Sequence, residues 1–489
     1  MRYACNMDAA SISRARLGLV LIVAAAIVFT SVAPAVADAP AKTPPKLNVV
    51  LILADDLGWT DLGCYGSDLY KTPHLDRLAR EGVRFTQNYS ACTVCSPTRA
   101  ALLTGKYPAR LHITDWIPGR MPENPRLIVP DFRKELPHDE VTLAELFKSA
   151  GYTTASIGKW HLGGEGFEPT TQGFDLNIAG TNSGSPPSYL APFKIPALPE
   201  GKPGDYLTDR LGDEAVQWID QVKEKPFFLY MPHFAVHTPI QPRPDLFKKY
   251  QAMERKNLVH QNAGYAAMLE SLDTTVGKIR AKLDELKLSD RTLIVFTSDN
   301  GGRVPTTSNK PLRVGKGSCY EGGVRVPLIV HWPGVTRAGQ TIDAPVITMD
   351  LLPTIAEIAD LAISTSHKPD GVSLTPLLRG NGTLTERNLY WHYPHYQHYQ
   401  QGGTTPYAAI RSGDYKLIEF MADGKAELYN VRTDISEQRN LAAAEPDKVK
   451  SLREQLHAWQ KAVNAQMPAK NADYDPAKPE YTPPAKKKT

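Results

Sequence analysis

Residues 47–56 read LNVVLILADD, a mostly apolar run of leucine and β-branched side chains that ends in two carboxylates. A run of this length and composition predicts a strand buried on both faces, as in a parallel sheet covered by helices. Similar runs follow at residues 153–157, 226–231, 292–297 and 326–331. The chain therefore contains the repeated buried strands that a large α/β sheet requires.

Helical patterns separate these strands. The clearest one covers residues 263–286, where apolar side chains from Tyr265 to Leu286 recur at alternating spacings of four and three and share one helix face. Strands that alternate with helices predict an α/β fold, with a large, mostly parallel sheet sandwiched by helices. We assign residues 47–384 to this α/β domain.

The C-terminal part of the chain has a different pattern. Short strand-like runs at 407–412, 415–420 and 426–430 are joined by turn pairs and predict an antiparallel sheet. A helix follows, with apolar residues from Val449 to Val463 on one face. We therefore expect a small C-terminal α+β domain at 385–465. Residues 466–489, rich in Ala, Pro and Lys, are expected to form a disordered tail.

The first residues are typical of a targeting segment. Arg14 and Arg16 precede an apolar run that ends at a small-x-small site, Ala35-Val36-Ala37, which predicts a secretory signal peptide over 1–37. The alternative is an uncleaved membrane anchor, since the run approaches the length of a span. Residues 38–46 are a proline-rich linker. We expect an exported protein, periplasmic or secreted, with no stable membrane association after cleavage.

Composition excludes several classes of protein. Of the 489 residues, 42% are hydrophobic and 22% are charged, which is typical of globular proteins and not of disordered or polytopic membrane chains. The formal net charge of +4 predicts no strongly basic surface, so we expect no nucleic-acid partner. After the predicted leader only Cys64, Cys92, Cys95 and Cys319 remain. They could form two disulfides, but they are too few to replace a core.

Polar clusters follow the predicted strands. Carboxylates Asp55 and Asp56 end the first strand, and Asp299-Asn300 end another. Residues 158–161 (GKWH) and the histidines at 233 and 237 follow two more. In an open α/β sheet, ligands bind beyond the carboxyl ends of the strands, so we expect these groups to converge. Three carboxylates and an amide oxygen suit a hard cation such as Ca²⁺ or Mg²⁺.

The most specific stretch is 95–105, CSPTRAALLTG. Its Cys-x-Pro-x-Arg pattern with a following Thr-Gly resembles the signature of type I, formylglycine-dependent sulfatases, in the arylsulfatase A and N-acetylgalactosamine sulfatase branch of the alkaline phosphatase superfamily. The other blocks of that family resemble segments of this chain in the same order, and the likeness covers nearly all of residues 47–465. These segments are Asp55-Asp56, Gly158–Gly163, His237-Thr238-Pro239, Asp299-Asn300-Gly301, Lys316-Gly317 and 321–327.

The resemblance implies a set of site residues. Cys95 would be converted to formylglycine by a formylglycine-generating or maturase enzyme, and its hydrated gem-diol would attack sulfur to give a sulfo-enzyme intermediate. Arg99 and Lys159 would orient residue 95, His161 would act as base for sulfate expulsion, and His237 with Lys316 would protonate the leaving oxygen. Asp55, Asp56, Asp299 and Asn300, completed by residue 95, would hold Ca²⁺, with Mg²⁺ as an alternative ion.

The substrate is less well defined by the sequence. The branch favours a sulfated carbohydrate of the galactose or N-acetylgalactosamine type. Residues 390–399 (YWHYPHYQHY) are either a packed domain interface or a wall on which a sugar stacks. The candidate substrate-binding residues are His112, Asp115, Trp116, His392 and His395.

Three other functions remain open at this point. A phosphonate monoester hydrolase or phosphodiesterase of the same superfamily could use the same modified cysteine. A non-catalytic sulfoglycan-binding protein would keep Cys95 unmodified. A thiol–disulfide exchanger would use Cys92 and Cys95 as a C-x-x-C pair, although Pro97 and Arg99 find no role there.

Overall fold

The computed structural model of the protein describes residues 46–397 and 404–480. The predicted signal peptide, all of the linker except Lys46, and residues 398–403 and 481–489 lie outside the described residues. Within the described ranges, the strands are β1 (Asn48–Ala54), β2 (Val83–Phe85), β3 (Asn88–Tyr89), β4 (Leu127–Ile128), β5 (Thr153–Ile157), β6 (Leu176–Ile178), β7 (Phe227–Pro232), β8 (Thr292–Ser298), β9 (Leu328–His331), β10 (Gln340–Ile342), β11 (Val346–Ile347), β12 (Leu389–Tyr393), β13 (Tyr407–Ser412), β14 (Tyr415–Phe420), β15 (Ala426–Asn430) and β16 (Ala469–Lys470).

The helices alternate with these strands along the larger part of the chain. They are α1 (Pro73–Glu81), α2 (Cys95–Thr104), α3 (Pro108–Leu111), α4 (Leu143–Ser149), α5 (Leu207–Val222), α6 (Pro244–Gln251), α7 (Ala263–Glu285), α8 (Glu321–Val324), α9 (Leu351–Ile358), α10 (Thr375–Leu378) and α11 (Pro446–Ala462).

The main sheet has the order β10-β2-β9-β8-β1-β7-β5-β6. Strand β1 lies in the middle and pairs in parallel with both β7 and β8, so that Leu51 lies opposite Tyr230 on one side and Val295 on the other. Strand β9 pairs antiparallel with β8 and with β2. The predicted α/β fold with a large, mostly parallel sheet is confirmed.

Strand β1 is buried on both faces, as its composition predicts. Val50 and Ile52 point into the core on one side of the sheet, and Val49, Leu51 and Leu53 point into the core on the other. Burying one such side chain stabilises the fold by about 1.5–3 kcal/mol. This apolar strand therefore fixes the two-sided architecture and places Asp55 and Asp56 at the sheet's carboxyl edge.

Helix α7 covers the face of the sheet that carries Val50 and Ile52. The side chain of Asn262 caps its first turn by accepting the N–H groups of Gly264 and Tyr265, at 3.0 and 3.1 Å. The apolar residues that define its predicted face are buried from Tyr265 to Leu283. The predicted helix and the observed one differ by a single C-terminal residue.

A second, antiparallel sheet has the order β12-β13-β14-β15 and is covered by α11. The three predicted strands have the observed bounds. The fourth, β12, overlaps the first four residues of the aromatic segment 390–399. Trp391 and Tyr393 of β12 are buried beside Tyr89 and Ala101, and the Trp391 indole donates a 2.9 Å hydrogen bond to the Ser90 carbonyl. This sheet therefore packs against the segment that carries Cys95.

The described part of the predicted tail differs from the disordered segment that its composition indicates. Strand β16 pairs antiparallel with β4, and the Asn124 amide donates to the carbonyls of Asp475 (2.8 Å) and Lys478 (3.0 Å). The physical reason is that β4 has an unpaired edge whose backbone groups the tail satisfies. Over residues 46–397 and 404–480, no helix is long and apolar enough to cross a bilayer.

Candidate active site

The polar strand ends converge because β1 lies between β7 and β8. Asp55 and Asp56 follow β1 directly, Asp299 and Asn300 follow β8, and His237 lies on the loop after β7. Asp56 (φ 59°) has a left-handed backbone, a conformation that a non-glycine residue adopts at a cost. The fold keeps this strain where the acidic side chains must turn inward.

Cys95 is the first residue of α2, and every residue of that helix is buried. Its Sγ lies 3.6 Å from Asp55 Oδ1 and 3.4 Å from Lys316 Nζ. Burial raises the pKa of the thiol to about 12 in spite of the nearby Lys159 and Lys316. The unmodified cysteine is therefore a neutral thiol held at the centre of a charged cluster.

Three cations and three carboxylates surround Cys95 in pairs. Lys159 Nζ lies 2.7 Å from Asp55 Oδ2, and Lys316 Nζ lies 2.6 Å from Asp56 Oδ1. Arg99 donates to Asp299 Oδ2 from both Nε (3.0 Å) and Nη2 (2.8 Å). These side chains have at most 2% exposure, so each charge depends on its partner, and loss of either partner would leave an isolated buried charge.

The pKa values of the carboxylates are shifted in opposite directions. Burial and the neighbouring Asp55 raise the pKa of Asp299 to about 6, although Arg99 counteracts them. Burial would also raise the pKa of Asp56, but Lys316 and His237 more than offset it and hold that pKa well below its ordinary value. Asp56 is therefore an anion across the physiological range.

The donor set fits a bound cation. Ligand atoms of Asp55, Asp56, Cys95 and His237 all lie within 4.8 Å of one another. Asp56 Oδ2 and Asn300 Oδ1 are both buried without a hydrogen-bond partner among the described residues, a costly state that a cation would relieve. Oxygen ligands of this kind suit a hard divalent ion.

The geometry also differs from the predicted ligand set in one respect. Both oxygens of Asp299 are engaged, Oδ2 by Arg99 and Oδ1 by the backbone N–H of Asp56 at 3.2 Å. His237 Nε2, by contrast, lies 3.6 Å from Asp56 Oδ2, inside the donor cluster. Asp299 orients Asp56 and Arg99 in this arrangement and keeps a lone pair on each oxygen for a cation, while His237, which the predicted ligand set does not include, borders the same site.

The two predicted catalytic histidines are held in defined orientations. His161 Nε2 bonds to the Ile117 carbonyl at 2.6 Å, which leaves Nδ1 buried without a hydrogen-bond partner in the described structure. His237 Nδ1 bonds to the Thr238 carbonyl at 2.7 Å, which directs Nε2 towards Asp56. Burial lowers the pKa of His237 to about 3 and that of His161 well below its ordinary value. Each ring therefore presents one unprotonated nitrogen.

The candidate substrate-binding residues are mostly in packed surroundings. Asp115 is buried and accepts hydrogen bonds from the Tyr393 hydroxyl and the Gln397 amide. His392 Nε2 bonds to the Gln466 carbonyl at 2.9 Å, and His395 Nε2 bonds to the Thr114 hydroxyl at 2.8 Å.

His112 and Trp116 are the more accessible members of the set. Both are partly buried, and His112 Nε2 bonds to the Asn464 carbonyl at 2.9 Å. These contacts favour the domain-interface interpretation of residues 390–397, and they leave Trp116 as the member with an accessible ring surface.

A second charged network, which the sequence did not reveal, supports the Lys316 loop. Lys416 of β14 is fully buried between Glu321 (2.9 Å) and Glu437 (3.2 Å), and Glu437 accepts the backbone N–H of Glu321 at 2.7 Å. Glu321 begins α8, and the carbonyl of Gly323 in that helix accepts the N–H of Gly301 at 3.0 Å. The second sheet is thereby tied to the loop that follows Asn300.

A thiol–disulfide exchange function does not fit this geometry. Cys64, Cys92, Cys95 and Cys319 are all unpaired. Burial raises the pKa of the Cys92 thiol to about 12, as it does for Cys95. Redox-active C-x-x-C pairs instead need an accessible cysteine whose pKa is lowered.

The fold and the site together define a class of protein: an enzyme for anionic esters, built on a mostly parallel α/β sheet, with a buried cysteine among lysines, an arginine and carboxylates. The chain belongs to the sulfatase family. The sulfatase family model matches residues 47–361, and a model of the C-terminal region of N-sulphoglucosamine sulphohydrolase matches 314–466. The protein is accordingly a sulfuric ester hydrolase that acts on sulfated substrates.

Individual relatives agree with this assignment. A sulfatase of Formosa agariphila is 34% identical, over 85% of this chain and 88% of its own length. N-acetylgalactosamine-6-sulfatase of Canis lupus familiaris is 36% identical, over 72% and 69%.

Solved structures are similar as well. The crystal structure of Ps i-CgsB in complex with k-i-k-neocarrahexaose is 29% identical, with a TM-score of 0.72 over 88% of this chain and 94% of that one. A phosphonate monoester hydrolase of Agrobacterium radiobacter shares the fold, at 20% identity and a TM-score of 0.64 over 86% of this chain and 96% of that one.

Proposed function

We propose that the protein is a formylglycine-dependent sulfatase that removes sulfate from galactose-type or N-acetylgalactosamine-type glycans. The observation that carries the proposal is the position of Cys95. It begins a buried helix within the CSPTR signature, and its Sγ lies between Lys316 Nζ and Asp55 Oδ1. A neutral thiol with a raised pKa is a poor nucleophile there, whereas a modified residue 95 would be well placed.

Two groups would supply chemistry that the side chains lack. Formylglycine at position 95 would supply a hydrated aldehyde, with one hydroxyl to attack sulfur and a second to release sulfate afterwards. A Ca²⁺ ion, or Mg²⁺, would be held by Asp55, Asp56, Asp299, Asn300 and residue 95, and would neutralise negative charge on the sulfate.

The cations of the cluster bind and orient the substrate's sulfate group. Lys316 and Lys159 lie near the nucleophile position. Asp56 holds Lys316 there, and Asp55 holds Lys159. Arg99 holds Asp299 and also donates to the Lys159 carbonyl at 3.1 Å, so it keeps the lysine segment in place. Fixed charges in a water-poor site stabilise charge that develops in the transition state.

The histidines move protons in this proposal. His161 presents an unprotonated Nδ1 and acts as the base for release of sulfate. His237 directs Nε2 into the cluster beside Asp56, the ion-pair partner of Lys316. The leaving sugar oxygen takes its proton from the Lys316 ammonium or from His237 after Nε2 has been protonated. Because burial lowers the pKa of His237 to about 3, this role requires the negative charge of a bound sulfate ester to favour its protonated form.

The substrate class rests on relatives and not on a contact within this chain. An N-acetylgalactosamine-6-sulfatase and a neocarrahexaose-bound protein are both among the similar proteins. Assays on N-acetylgalactosamine 6-sulfate, a sulfated galactan oligosaccharide and glucosamine 6-sulfate test the preference. Faster turnover of the glucosamine ester would overturn it.

A phosphonate monoester hydrolase is the second candidate, because one shares the fold. Parallel assays on nitrophenyl sulfate and nitrophenyl phenylphosphonate, with the same protein sample, separate the two functions. We expect the larger kcat/KM on the sulfate ester. A preference for the phosphonate ester would replace the proposed reaction.

Export and maturation complete the proposal. The predicted signal peptide over 1–37, the domain division near residue 384 and a maturase partner stay predictions. N-terminal sequencing of exported protein tests the first, with Asp38 expected as the first residue.

A further inference from the structure

A cavity of about 1350 Å³ at the carboxyl edge of the main sheet lies outside the catalytic cluster. Its walls come from the segment after β1, from the start of α7 and from residues 304–314, with Ser436 and Gln438 of the C-terminal region. Helix α7 precedes β8, so its first turn lies at the same edge as the active site. None of the residues assigned above to catalysis or to the cation lines this cavity.

One loop connects the cavity to the active site. Residues 304–314 form a cavity wall, and the loop they belong to begins after Asn300 and ends at Lys316. The Asn309 amide closes the loop by donating to the carbonyls of Gly302 (2.8 Å) and Val314 (3.0 Å). The N–H of Lys316 also donates to Gly302, at 3.1 Å. A ligand in the cavity would therefore contact the segment that carries a catalytic lysine.

The charges that line the cavity have one sign. Lys310 and Arg313 are the charged lining residues, and the lining contains no Asp or Glu. Lys310 is exposed and forms no ion pair with an acidic group of the described chain, whereas the Arg313 guanidinium lies over the Tyr320 ring at 3.8 Å and donates to the Tyr429 hydroxyl. The Arg313 guanidinium also lies 3.9 Å from Glu427, which partly balances its charge, so Lys310 supplies most of the positive charge of this wall.

The remaining lining groups match a carbohydrate. Gln261, Thr306 and Ser308 offer an amide and two hydroxyls, which exchange hydrogen bonds with sugar hydroxyls. Trp59 is half-buried and supplies an aromatic ring, a surface that suits the apolar face of a sugar. The volume exceeds the range of about 300–1,000 Å³ that is usual for small-molecule pockets, so several sugar units fit.

We propose that this cavity is a second binding site for the anionic glycan, which holds sulfated units away from the one being hydrolysed. The proposal rests on the proposed carbohydrate substrate and extends it from a single sulfated sugar to an oligosaccharide. Lys310 and Arg313 attract the sulfate groups of the bound chain, and the amide and aromatic groups hold its sugars.

The test reverses the charge of Lys310, the lining lysine that forms no ion pair among the described residues. Lys310→Glu is compared with Lys225→Glu, a matched change of an exposed lysine that lies before β7, at the opposite edge of the sheet. Binding of neocarrahexaose is measured by calorimetry in a Cys95→Ala background, where turnover does not interfere. Hydrolysis of nitrophenyl sulfate is measured in the background that keeps Cys95.

We expect Lys310→Glu to raise the Kd for the hexasaccharide about 3–10-fold, because a single exposed charge contact contributes modestly and its reversal adds repulsion. The difference should shrink as ionic strength rises. Lys225→Glu should leave the Kd unchanged, and both variants should hydrolyse nitrophenyl sulfate at the parent rate.

The proposal is overturned if Lys310→Glu binds the hexasaccharide as tightly as the parent, or if the Cys95→Ala protein does not bind it. A loss of nitrophenyl sulfate turnover in Lys310→Glu would also overturn it, because that result would place Lys310 in the catalytic site. If the parent enzyme fails to hydrolyse nitrophenyl sulfate, the proposed function itself is wrong, whatever the binding result.

Discussion

Lys416 offers a direct way to test whether the second sheet positions the catalytic loop. Its ammonium is fully buried between Glu321 and Glu437. Burial would lower the pKa of Lys416, but the two carboxylates raise it above its ordinary value. Replacement by methionine keeps the unbranched side chain up to the position of Cε and removes the ammonium group, so Lys416→Met tests the buried ion pairs with little loss of packing.

The expected loss of stability follows from the groups left behind. Breaking a buried ion pair by removing one partner costs about 3–5 kcal/mol. The pKa of Glu437 is already raised to about 7, chiefly by burial, so without Lys416 this carboxyl takes up a proton at neutral pH. Glu321 keeps its contacts with Arg325 (3.3 Å) and the Tyr89 hydroxyl (2.8 Å). We therefore expect a loss near the lower limit, about 3 kcal/mol.

The expected loss of activity follows from the backbone contacts. Glu437 fixes the start of α8, and α8 fixes the backbone of Gly301 beside the predicted metal ligand Asn300. A displacement of about 1 Å at reacting groups can cost about 10²-fold in rate. We expect kcat for nitrophenyl sulfate to fall by about 10–10²-fold at a temperature where Lys416→Met remains folded, with a smaller change in KM.

Denaturant unfolding and steady-state kinetics measure the two effects. Lys425→Met is the matched control, because Lys425 lies in the same sheet region with 79% side-chain exposure and should change stability by less than about 0.5 kcal/mol. Adding Glu437→Gln to Lys416→Met removes an opposing buried acid and should restore part of the stability and of kcat. If Lys416→Met matches Lys425→Met in both measurements, the positioning argument is refuted.

Three further predictions concern the site itself. Active protein should contain about one Ca²⁺ per chain by elemental analysis, and the Asp56→Ala variant should lose this ion. A protein that contains only zinc, or no metal, would contradict the assignment of oxygen ligands. His237→Ala should lose far more activity on a sulfated sugar than on nitrophenyl sulfate, since a phenolate leaves without a proton. A general acid contributes about 10²–10⁴ in rate, which sets the size of the loss on the sugar. Equal losses on both substrates would assign the acid role to Lys316 alone. Burial raises the pKa of Asp115 from 3.8 to about 7, so the folded chain keeps a proton that the unfolded chain loses, and stability falls as pH rises through that window. Asp115→Asn cannot ionise, and its melting temperature relative to the parent should therefore rise between about pH 5 and about pH 8; a constant difference would show that Asp115 is ionised in both states.

Local patterns predicted the elements that carry the active site. The continuous apolar run of β1 and the four-three spacing of apolar residues in α7 can both be read from residues close together in the sequence. Both elements form almost as their sequences indicate. Because parallel strands end at one edge, the chain position of Asp55, Asp56 and Asp299 also predicted their convergence. The small antiparallel sheet was predictable from local patterns as well, because short turns join its consecutive strands β13, β14 and β15.

Contacts between distant residues could not be predicted in this way. Lys416 lies in a short strand next to a turn, where a lysine is expected to reach solvent, and its partner Glu321 is 95 residues away in the sequence. The pairing of β16 with β4 likewise depends on an edge that becomes visible only after folding. The engagement of Asp299 by Arg99 is a third case, because the sequence identifies donors and acceptors without showing which ones meet.

The chemical state of residue 95 is the most direct test of the proposed function. Tryptic cleavage after Arg84 and Arg99 releases residues 85–99, FTQNYSACTVCSPTR, which contain both Cys92 and Cys95. Mass spectrometry after thiol alkylation of active enzyme should show one alkylated cysteine, at Cys92, and an aldehyde at position 95. The account is contradicted if fully active enzyme yields this peptide with both cysteines alkylated, or if Cys95→Ala hydrolyses sulfate esters at the parent rate.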